Sequence, residues 1–256
     1  MTFAPREVLR ADSIVVTFGD RRVLTAATLR AEAGEVVVLF GRNGAGKSTL
    51  LHVAAGLRPA TSGAVHFQGE VYLRPSLAHL ARHGMFLLPD RDLLSGNLTL
   101  RRHMSLFAAR FDRPLIEQAA ALVGLTERLD QRADACSGGE RRLAEVALAW
   151  LRGPTCLLAD EPYRDVAPIV GDTLSRVFRE MADAGCAVVL SGHDSETLLG
   201  IADRVVWCTA GTTYELGDAE HARRDPRFVA DYLGMRGPPL PPGRPEPPAD
   251  RPLEDF

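Results

Sequence analysis

The sequence has 256 residues, of which 46% are apolar and 25% are charged, and these values are ordinary for a globular protein. Its net charge of −3 excludes the strong positive field with which many proteins hold nucleic acid, so no nucleic-acid partner is expected. Clean apolar runs are about five residues long, whereas a membrane-spanning helix needs about 20, so we expect a chain that does not cross a membrane unaided. The four cysteines are far apart in sequence, which favours reduced thiols over a metal site or a disulfide framework.

The first part of the chain predicts short strands around one buried strand. Strands are expected over residues 13–18 and 22–31, and a strand pair over 63–73, where apolar and polar residues alternate. Between them, Val36–Phe40 is a continuous apolar run rich in β-branched residues, which is typical of a strand buried on both faces. A glycine-rich loop follows this run and leads into a helix over about 47–55.

The rest of the chain alternates between helical and strand patterns. Residues 97–151 are mainly helical, with Pro114 at the first position of one helix and Gly124 at its end. Further strands are expected at 156–159, 187–190 and 205–208, with helices at about 169–184 and 195–202. Strands that alternate with helices predict an α/β fold built on a parallel sheet.

The two ends of the chain are not predicted to contribute to this fold. The first ten residues lack the apolar core of a signal peptide. Residues 237–256 hold eight of the 17 prolines and few apolar residues, so we expect a disordered, proline-rich tail.

A glycine-rich loop carries the clearest motif. Gly41–Ser48 reads GRNGAGKS, which matches G-x-x-x-x-G-K-[ST] in full and lies between a buried strand and a helix, so it predicts binding of a nucleoside triphosphate. Glycines let backbone N–H groups approach phosphates, and the helix N-terminus adds partial positive charge. Lys47 is the only lysine among 30 lysines and arginines, and a thin ammonium fits where an arginine fork does not, so we assign it to the β- and γ-phosphates. Ser48 is a candidate Mg²⁺ ligand. The candidate nucleotide-binding residues here are Gly41, Arg42, Asn43, Gly44, Ala45, Gly46, Lys47, Ser48 and Thr49.

Two acidic residues follow the predicted strand 156–159. A phosphate-binding loop of this kind needs a carboxylate for Mg²⁺, and Asp160 is the candidate. Glu161 is then placed to act as the general base toward an attacking water. The alternative is that both acids only begin a loop before Pro162.

The stretch CSGGERR begins at Cys136. Ser137 and Glu140 fit a capping box, S-x-x-E, at the start of a helix. Gly138 and Gly139 are unfavourable just inside a helix, but they are explained if the helix N-terminus must approach an anion closely. We therefore predict that these four residues contact nucleotide, whereas a plain helix start is the alternative.

Together these motifs resemble the ATP-binding cassette family, the nucleotide-binding subunits of ABC transporters, over roughly residues 10–235. The order also matches, because His193 follows the strand AVVL where the family has a histidine. The resemblance implies a P-loop NTPase core with a mostly parallel sheet, an antiparallel β subdomain and a helical subdomain at about 91–151. It further implies that His193 contacts the γ-phosphate and that Phe18 stacks on adenine; a loop histidine and a core aromatic are the alternatives.

The function that this resemblance implies is an ATPase subunit that binds ATP and Mg²⁺ and powers a separate membrane permease from the inner face of the cell membrane. Two cassettes would enclose two ATP molecules head to tail. The remaining alternatives are a soluble cassette protein outside transport and a weakly active partner in a heterodimer. A GTPase is not expected, because a guanine-reading N-K-x-D would need a second lysine.

Two positions depart from the family pattern. Asp90 stands where glutamine is usual, and a carboxylate there is a third candidate Mg²⁺ ligand. Ala167 stands where the family has an aspartate before a proline, an aspartate that helps to couple the two sites of the dimer. We therefore expect hydrolysis to be retained and the coupling between sites, or to the membrane partner, to be altered.

Overall fold

The computed structural model describes residues 7–91, 93–193 and 195–230. The predicted proline-rich tail, 237–256, lies outside the described residues. The strands are β1 Glu7–Phe18, β2 Arg21–Glu32, β3 Val36–Phe40, β4 Ser62–Phe67, β5 Glu70–Tyr72, β6 Met85–Leu88, β7 Cys156–Ala159, β8 Ala187–Gly192, β9 Arg204–Thr209 and β10 Thr212–Gly217. The helices are α1 Lys47–Ala54, α2 Leu77–Arg82, α3 Leu100–Phe111, α4 Ile116–Leu122, α5 Gly138–Arg152, α6 Pro168–Asp183, α7 Ser195–Ile201, α8 Ala219–Arg224 and α9 Pro226–Phe228.

These strands form two sheets. One is antiparallel, in the order β2-β1-β4-β5, and the other has six strands in the order β10-β9-β3-β8-β7-β6. In the second sheet β3, β6, β7, β8 and β9 run parallel, and β10 is antiparallel to β9. Because parallel strands end at the same edge, the loops that follow β3, β6, β7 and β8 meet there.

The core lies on both faces of the six-stranded sheet, and β3 shows how the sequence produces this. Successive strand residues point to opposite faces, so the five apolar residues of β3 serve two clusters. Val36, Val38 and Phe40 pack with the cluster that includes α5 and α6, whereas Val37 and Leu39 pack with the cluster that includes α1 and the antiparallel sheet. The uniform apolar run is thereby explained by burial on both faces.

The structure corrects some sequence-based boundaries. The prediction that Pro114 occupies the first position of a helix is wrong. Leu115 donates its N–H to the carbonyl of Arg113 at 2.7 Å, so Pro114 lies in a turn, and the first helical hydrogen bond runs from Ala119 to the carbonyl of Leu115. Strand β1 also begins earlier than residue 13, and α2 and β10 were not predicted.

The four cysteines are free and buried. This agrees with the prediction of reduced thiols. Burial raises the pKa of the Cys186 thiol to about 12, which makes it a poor nucleophile at neutral pH.

Gly56 and Gly124 have nearly the same φ, so they provide a matched test of the packing around Gly56, just after α1. Gly56 (φ 71) and Gly124 (φ 72) both adopt the left-handed conformation. A Cβ on Gly56 would lie 2.8 Å from the carbonyl carbon of Ser76, whereas nothing lies within 4 Å of a Cβ on Gly124. We expect Gly124→Ala to lower the free energy of unfolding by about 1–2 kcal/mol through backbone strain alone.

Gly56→Ala adds a backbone collision to that strain, so its expected cost is about 3 kcal/mol or more. Urea denaturation of the two variants measures the difference. Equal shifts of the two midpoints would contradict the packing described around Gly56.

Candidate functional site

A cavity of about 780 Å³ opens at the edge of the six-stranded sheet where the parallel strands end. The loops after β3, β6, β7 and β8 each contribute to its lining. Of the residues predicted from the sequence, the structure places these along it: Phe18, Asn43, Gly44, Gly46, Lys47, Ser48, Thr49, Asp90, Glu161 and His193.

The glycine-rich loop after β3 has the backbone that its composition predicts. Gly44 (φ 81) and Gly46 (φ 108) adopt conformations that other residues rarely adopt. A Cβ on Gly46 would lie 2.5 Å from Cδ2 of Leu24, and one on Gly41 would collide with the carbonyl oxygen of Cys208. The loop is therefore packed tightly against the neighbouring strands from below, while Gly44 faces open space.

Lys47 begins α1 and is almost fully buried, with 5% of its surface exposed. Its Nζ donates to the carbonyl oxygen of Gly41 at 2.7 Å and lies 3.1 Å from Oε1 of Glu161. A buried ammonium requires such partners, because burial without them is very costly. The compact lysine side chain thus reaches the cavity from beneath the loop.

A chain of hydroxyl groups and carboxylates joins the loop to the strands behind it. The Ser48 hydroxyl donates to Oδ1 of Asp160 at 3.1 Å, and the Ser191 hydroxyl donates to the same oxygen at 2.7 Å. Ser191 in turn accepts from the backbone N–H of Glu161 at 3.0 Å. Asp160 does not line the cavity wall directly, yet it lies behind Ser48, and Nε2 of His52 is 3.9 Å from its Oδ2. The role of Ser191 was missed, because a serine at the end of a strand carries no motif.

Glu161 has each carboxylate oxygen against a different basic side chain. Oε1 faces Lys47, and Oε2 lies 2.9 Å from Nδ1 of His193, whose side chain is mainly exposed. The backbone of Glu161 has φ 47, a conformation that costs free energy for a residue other than glycine and is maintained by the surrounding structure. The loops after β3, β7 and β8 therefore converge on one carboxylate.

The loop after β6 is fixed by arginines. Asp90 accepts from Nη1 of Arg164 at 3.0 Å. Arg142, on α5, donates to the carbonyl of Pro89 at 2.9 Å and to the carbonyl of Asp90, and it pairs with Glu145 at 2.9 Å. Burial lowers the pKa of Arg142, and the carboxylates of Glu145 and Asp90 partly offset this effect.

Residues 137–140 form the N-terminus of α5 and do not line the main cavity of their own chain. The capping box is present as predicted: Ser137 accepts from the N–H of Glu140 at 3.2 Å, and Glu140 accepts from the N–H of Ser137 at 2.8 Å. The hydrogen bonds that the carboxylate of Glu140 accepts from Ser137, above all the one from the backbone N–H, lower the pKa of Glu140. Ser137 and Gly138 are exposed, and nothing lies within 4 Å of a Cβ built on Gly138, whereas a Cβ on Gly139 would lie 3.1 Å from Cγ2 of Val170.

An aromatic side chain and an arginine from the β1–β2 hairpin also line the cavity. Phe18, at the end of β1, is 42% exposed, and the guanidinium of Arg58 lies 4.7 Å from its ring centroid. Arg21, paired with Phe18 across the β1–β2 hairpin, also lines the cavity. The sequence does not predict a site role for either arginine, because arginines are scattered along the chain and neither position belongs to a motif.

The remaining loop residues lie beside the cavity. Arg42 accepts through its carbonyl from the N–H of Ala45 at 3.1 Å, which closes a turn inside the loop. The thiol of Cys208 donates to the carbonyl of Ala45 at 3.2 Å. Burial raises the pKa of Cys208 to about 11, although the charge of Lys47 lowers it somewhat.

The chain is similar in sequence to ATP-binding proteins of ABC transporters. Residues 24–164, just over half of the chain, match the family model described as ABC transporter. The chain is 31% identical to the ABC transporter ATP-binding/permease protein Rv1747 of Mycobacterium tuberculosis, covering 92% of this chain but only 30% of that protein. It is 29% identical to the high-affinity branched-chain amino acid transport ATP-binding protein BraG of Pseudomonas aeruginosa (89% of this chain, 100% of the relative). It is 27% identical to the lipopolysaccharide export system ATP-binding protein LptB of Haemophilus influenzae (89% and 97%).

Solved structures show the same fold. An ATP-binding subunit of an ABC transporter aligns with a TM-score of 0.75 at 26% identity, covering 89% of this chain and 96% of the other. The ADP conformation of an ATP-binding cassette from an ABC transporter aligns with a TM-score of 0.79 at 24% identity, covering 90% and 100%. The fold is therefore that of an ABC ATPase, with the mixed sheet and helices expected from the sequence. The chain belongs to the ABC transporter family, as an ATP-binding cassette that hydrolyses ATP.

Proposed function

We propose that this chain is the ATPase subunit of an ABC transporter and drives a separate membrane permease from the inner face of the cell membrane. The observation that carries the proposal is the convergence of Lys47, Glu161 and His193 on one cavity. The relatives BraG and LptB, which the chain matches over nearly their whole length, are named as ATP-binding proteins of transport systems. Within the part of the chain that the structure describes, no helix is both long enough and apolar enough to cross a membrane.

In this proposal the glycine-rich loop holds the phosphates of ATP. Backbone N–H groups of the loop and of the first turn of α1 surround the phosphates, and Phe18 supplies an exposed ring for the adenine. Lys47 exchanges its contact with Glu161 for the β- and γ-phosphates. Arrival of the nucleotide therefore releases one oxygen of Glu161.

The residues around Ser48 suit a magnesium ion. Ser48 and Asp160 present oxygen atoms, which Mg²⁺ prefers, and one or two carboxylates usually suffice because the phosphates supply further ligands. Among the described residues there is no cluster of three or more side chains typical of an all-protein metal cage. When bound, the ion would offset negative charge on the transferred phosphoryl group. Asp90 stays a predicted third ligand. In the structure its carboxylate pairs with Arg164.

Glu161 is the proposed general base, which orients and polarises the attacking water. His193, 2.9 Å from Oε2, is in position to hold that carboxylate and to reach the γ-phosphate. Both side chains follow neighbouring parallel strands, β7 and β8, which fixes their spacing. Hydrolysis then depends on three positioned side chains, with Lys47 as the third.

A second cassette completes the proposed site. Ser137, Gly138, Gly139 and Glu140 lie outside the cavity of their own chain, at an exposed helix N-terminus suited to an anion. A head-to-tail dimer would place this N-terminus over the phosphates that the other chain holds. The predicted domain of residues 10–235 and the helical region 91–151 belong to this proposal.

A heterodimer with a more active cassette is the second candidate. Ala167 is the N-cap residue of α6 and provides no side-chain hydrogen bond there. An aspartate, which the family has at this position, would cap the helix and contribute to coupling between sites. An ATPase rate too low to measure in the isolated protein would favour this candidate.

Replacement of Lys47 tests nucleotide binding. We expect Lys47→Ala and Lys47→Arg each to weaken ATP binding on the order of 100-fold, about 3 kcal/mol, because neither supplies a buried ammonium to the phosphates. Titration with a fluorescent ATP analogue measures this. Arg82→Ala, at an exposed arginine on α2, is the control and should bind as the wild type does. Unchanged affinity in Lys47→Arg would contradict the role assigned to the lysine.

Replacement of Asp160 tests the metal site. We expect Asp160→Asn to raise the Mg²⁺ concentration needed for half-maximal hydrolysis by roughly 10- to 100-fold, because the proposed Mg²⁺ ligands lose one negative charge. The matched control is Asp172→Asn, at an exposed carboxylate on α6. An identical Mg²⁺ dependence in Asp160→Asn and wild type would rule out the proposed ligand.

A further inference from the structure

Arg164 contacts the site in a way that neither the motifs nor the proposed chemistry explains. It lies three residues after Glu161 and lines the nucleotide cavity. Its Nη1 lies 3.0 Å from Oδ2 of Asp90, 74 residues away in sequence, and its Nε is 3.6 Å from Oδ2 of Asp165. Asp90 is the residue that departs from the usual glutamine, so an unusual carboxylate faces an arginine.

The loop that carries Asp90 is itself held rigidly. The buried Arg142 of α5 donates to the carbonyls of Pro89 and Asp90, and Glu145 pairs with Arg142 at 2.9 Å. Glu145 also accepts from the N–H of Leu93 at 3.3 Å, on the far side of the same loop. Asp90 is therefore a fixed anchor at one end of the ion pair.

The other end of the pair leads directly to Glu161. The N–H of Arg164 donates to the carbonyl of Glu161 at 3.1 Å, which closes a turn of the loop after β7. Glu161 itself has φ 47, a conformation that its surroundings must maintain. A side chain that tethers the end of this turn thus limits how far the Glu161 carboxylate can move.

We propose that the Asp90–Arg164 ion pair positions Glu161 for hydrolysis, and that Asp90 acts as the anchor of Arg164 rather than as a Mg²⁺ ligand. The inference rests on the proposed ATPase function and adds a positioning pair to it. Arg164 is a positioning residue, because it acts through the turn that carries the base. The pair also connects α5, whose N-terminus carries residues 137–140, with the base of the same chain.

The role of the pair is geometric rather than stabilising. Its side chains are 34% exposed (Arg164) and 42% exposed (Asp90), and ion pairs with this exposure contribute little to folding. Small displacements of a catalytic group, in contrast, cost large factors in rate. Loss of the pair should therefore change turnover while leaving the melting temperature nearly unchanged.

Hydrogen–deuterium exchange of the full chain without nucleotide tests the tether. We expect Asp90→Asn and Arg164→Gln each to speed exchange in peptides covering residues 160–166 by roughly 10-fold, since the turn loses its restraint. Arg91→Gln is the matched control, because Arg91 is the next residue of the loop and its contact with Asp165 is long and exposed, at 3.8 Å. Unchanged exchange in both variants, or equal acceleration in the control, would overturn the proposal.

Steady-state ATP hydrolysis then tests positioning. We expect each single variant to lower kcat roughly 10-fold with unchanged KM for ATP and unchanged Mg²⁺ requirement, and the double variant to be no slower than either single one. The exchanged pair, Asp90→Arg with Arg164→Asp, should recover part of the rate. A double variant whose loss of kcat equals the product of the two single losses would overturn the proposal. So would an Mg²⁺ requirement raised in Asp90→Asn but not in Arg164→Gln, which would instead make Asp90 a metal ligand.

The two measurements distinguish a failure of the proposed ATPase function from a failure of the ion-pair proposal. A wild-type protein without measurable hydrolysis would contradict the proposed function of the isolated chain, whereas the exchange experiment would still decide whether the ion pair tethers the turn. Normal hydrolysis by the wild type, together with unchanged exchange in Asp90→Asn and Arg164→Gln, would reject the role of the ion pair and leave the proposed ATPase function standing.

Discussion

The carboxylate of Glu161 is the group on which the site depends. It holds Lys47 on one oxygen and His193 on the other, at the ends of three adjacent parallel strands. Without such a partner the ammonium of Lys47 would be buried beneath the loop with only carbonyl oxygens around it, at high cost. The parallel order of β3, β8 and β7 therefore has a chemical consequence, because it brings one carboxylate and two basic side chains together.

This arrangement makes nucleotide binding an exchange of partners. In the proposed function the phosphates of ATP would take over the ammonium of Lys47, and the released oxygen of Glu161 would become available to a water molecule. In this proposal the base is paired with Lys47 before ATP binds, and the arriving phosphates release it. The turn that carries Glu161, tied through Arg164 to Asp90, keeps the carboxylate near this position during the exchange.

The sequence predicted the α/β fold, the buried strand Val36–Phe40 and the capping box at Ser137, because each rests on local pattern. Pro114 was misplaced, since helix starts also depend on the turn before them. Contacts between distant segments had no local signal: nothing in the sequence pairs Asp90 with Arg164 or places Ser191 behind Asp160. These contacts arise only when the parallel strands bring their loops to one edge.

Light scattering in Mg-ATP tests the central claim most directly, with Glu161→Gln beside the wild type. If Glu161 is the base and two chains enclose ATP, the variant should accumulate as a stable dimer with unhydrolysed ATP, whereas the wild type dimerises only transiently. A variant that turns over ATP at the wild-type rate would contradict the assignment of the base. A variant that binds ATP but stays monomeric would contradict the proposed sandwich of two copies of this chain.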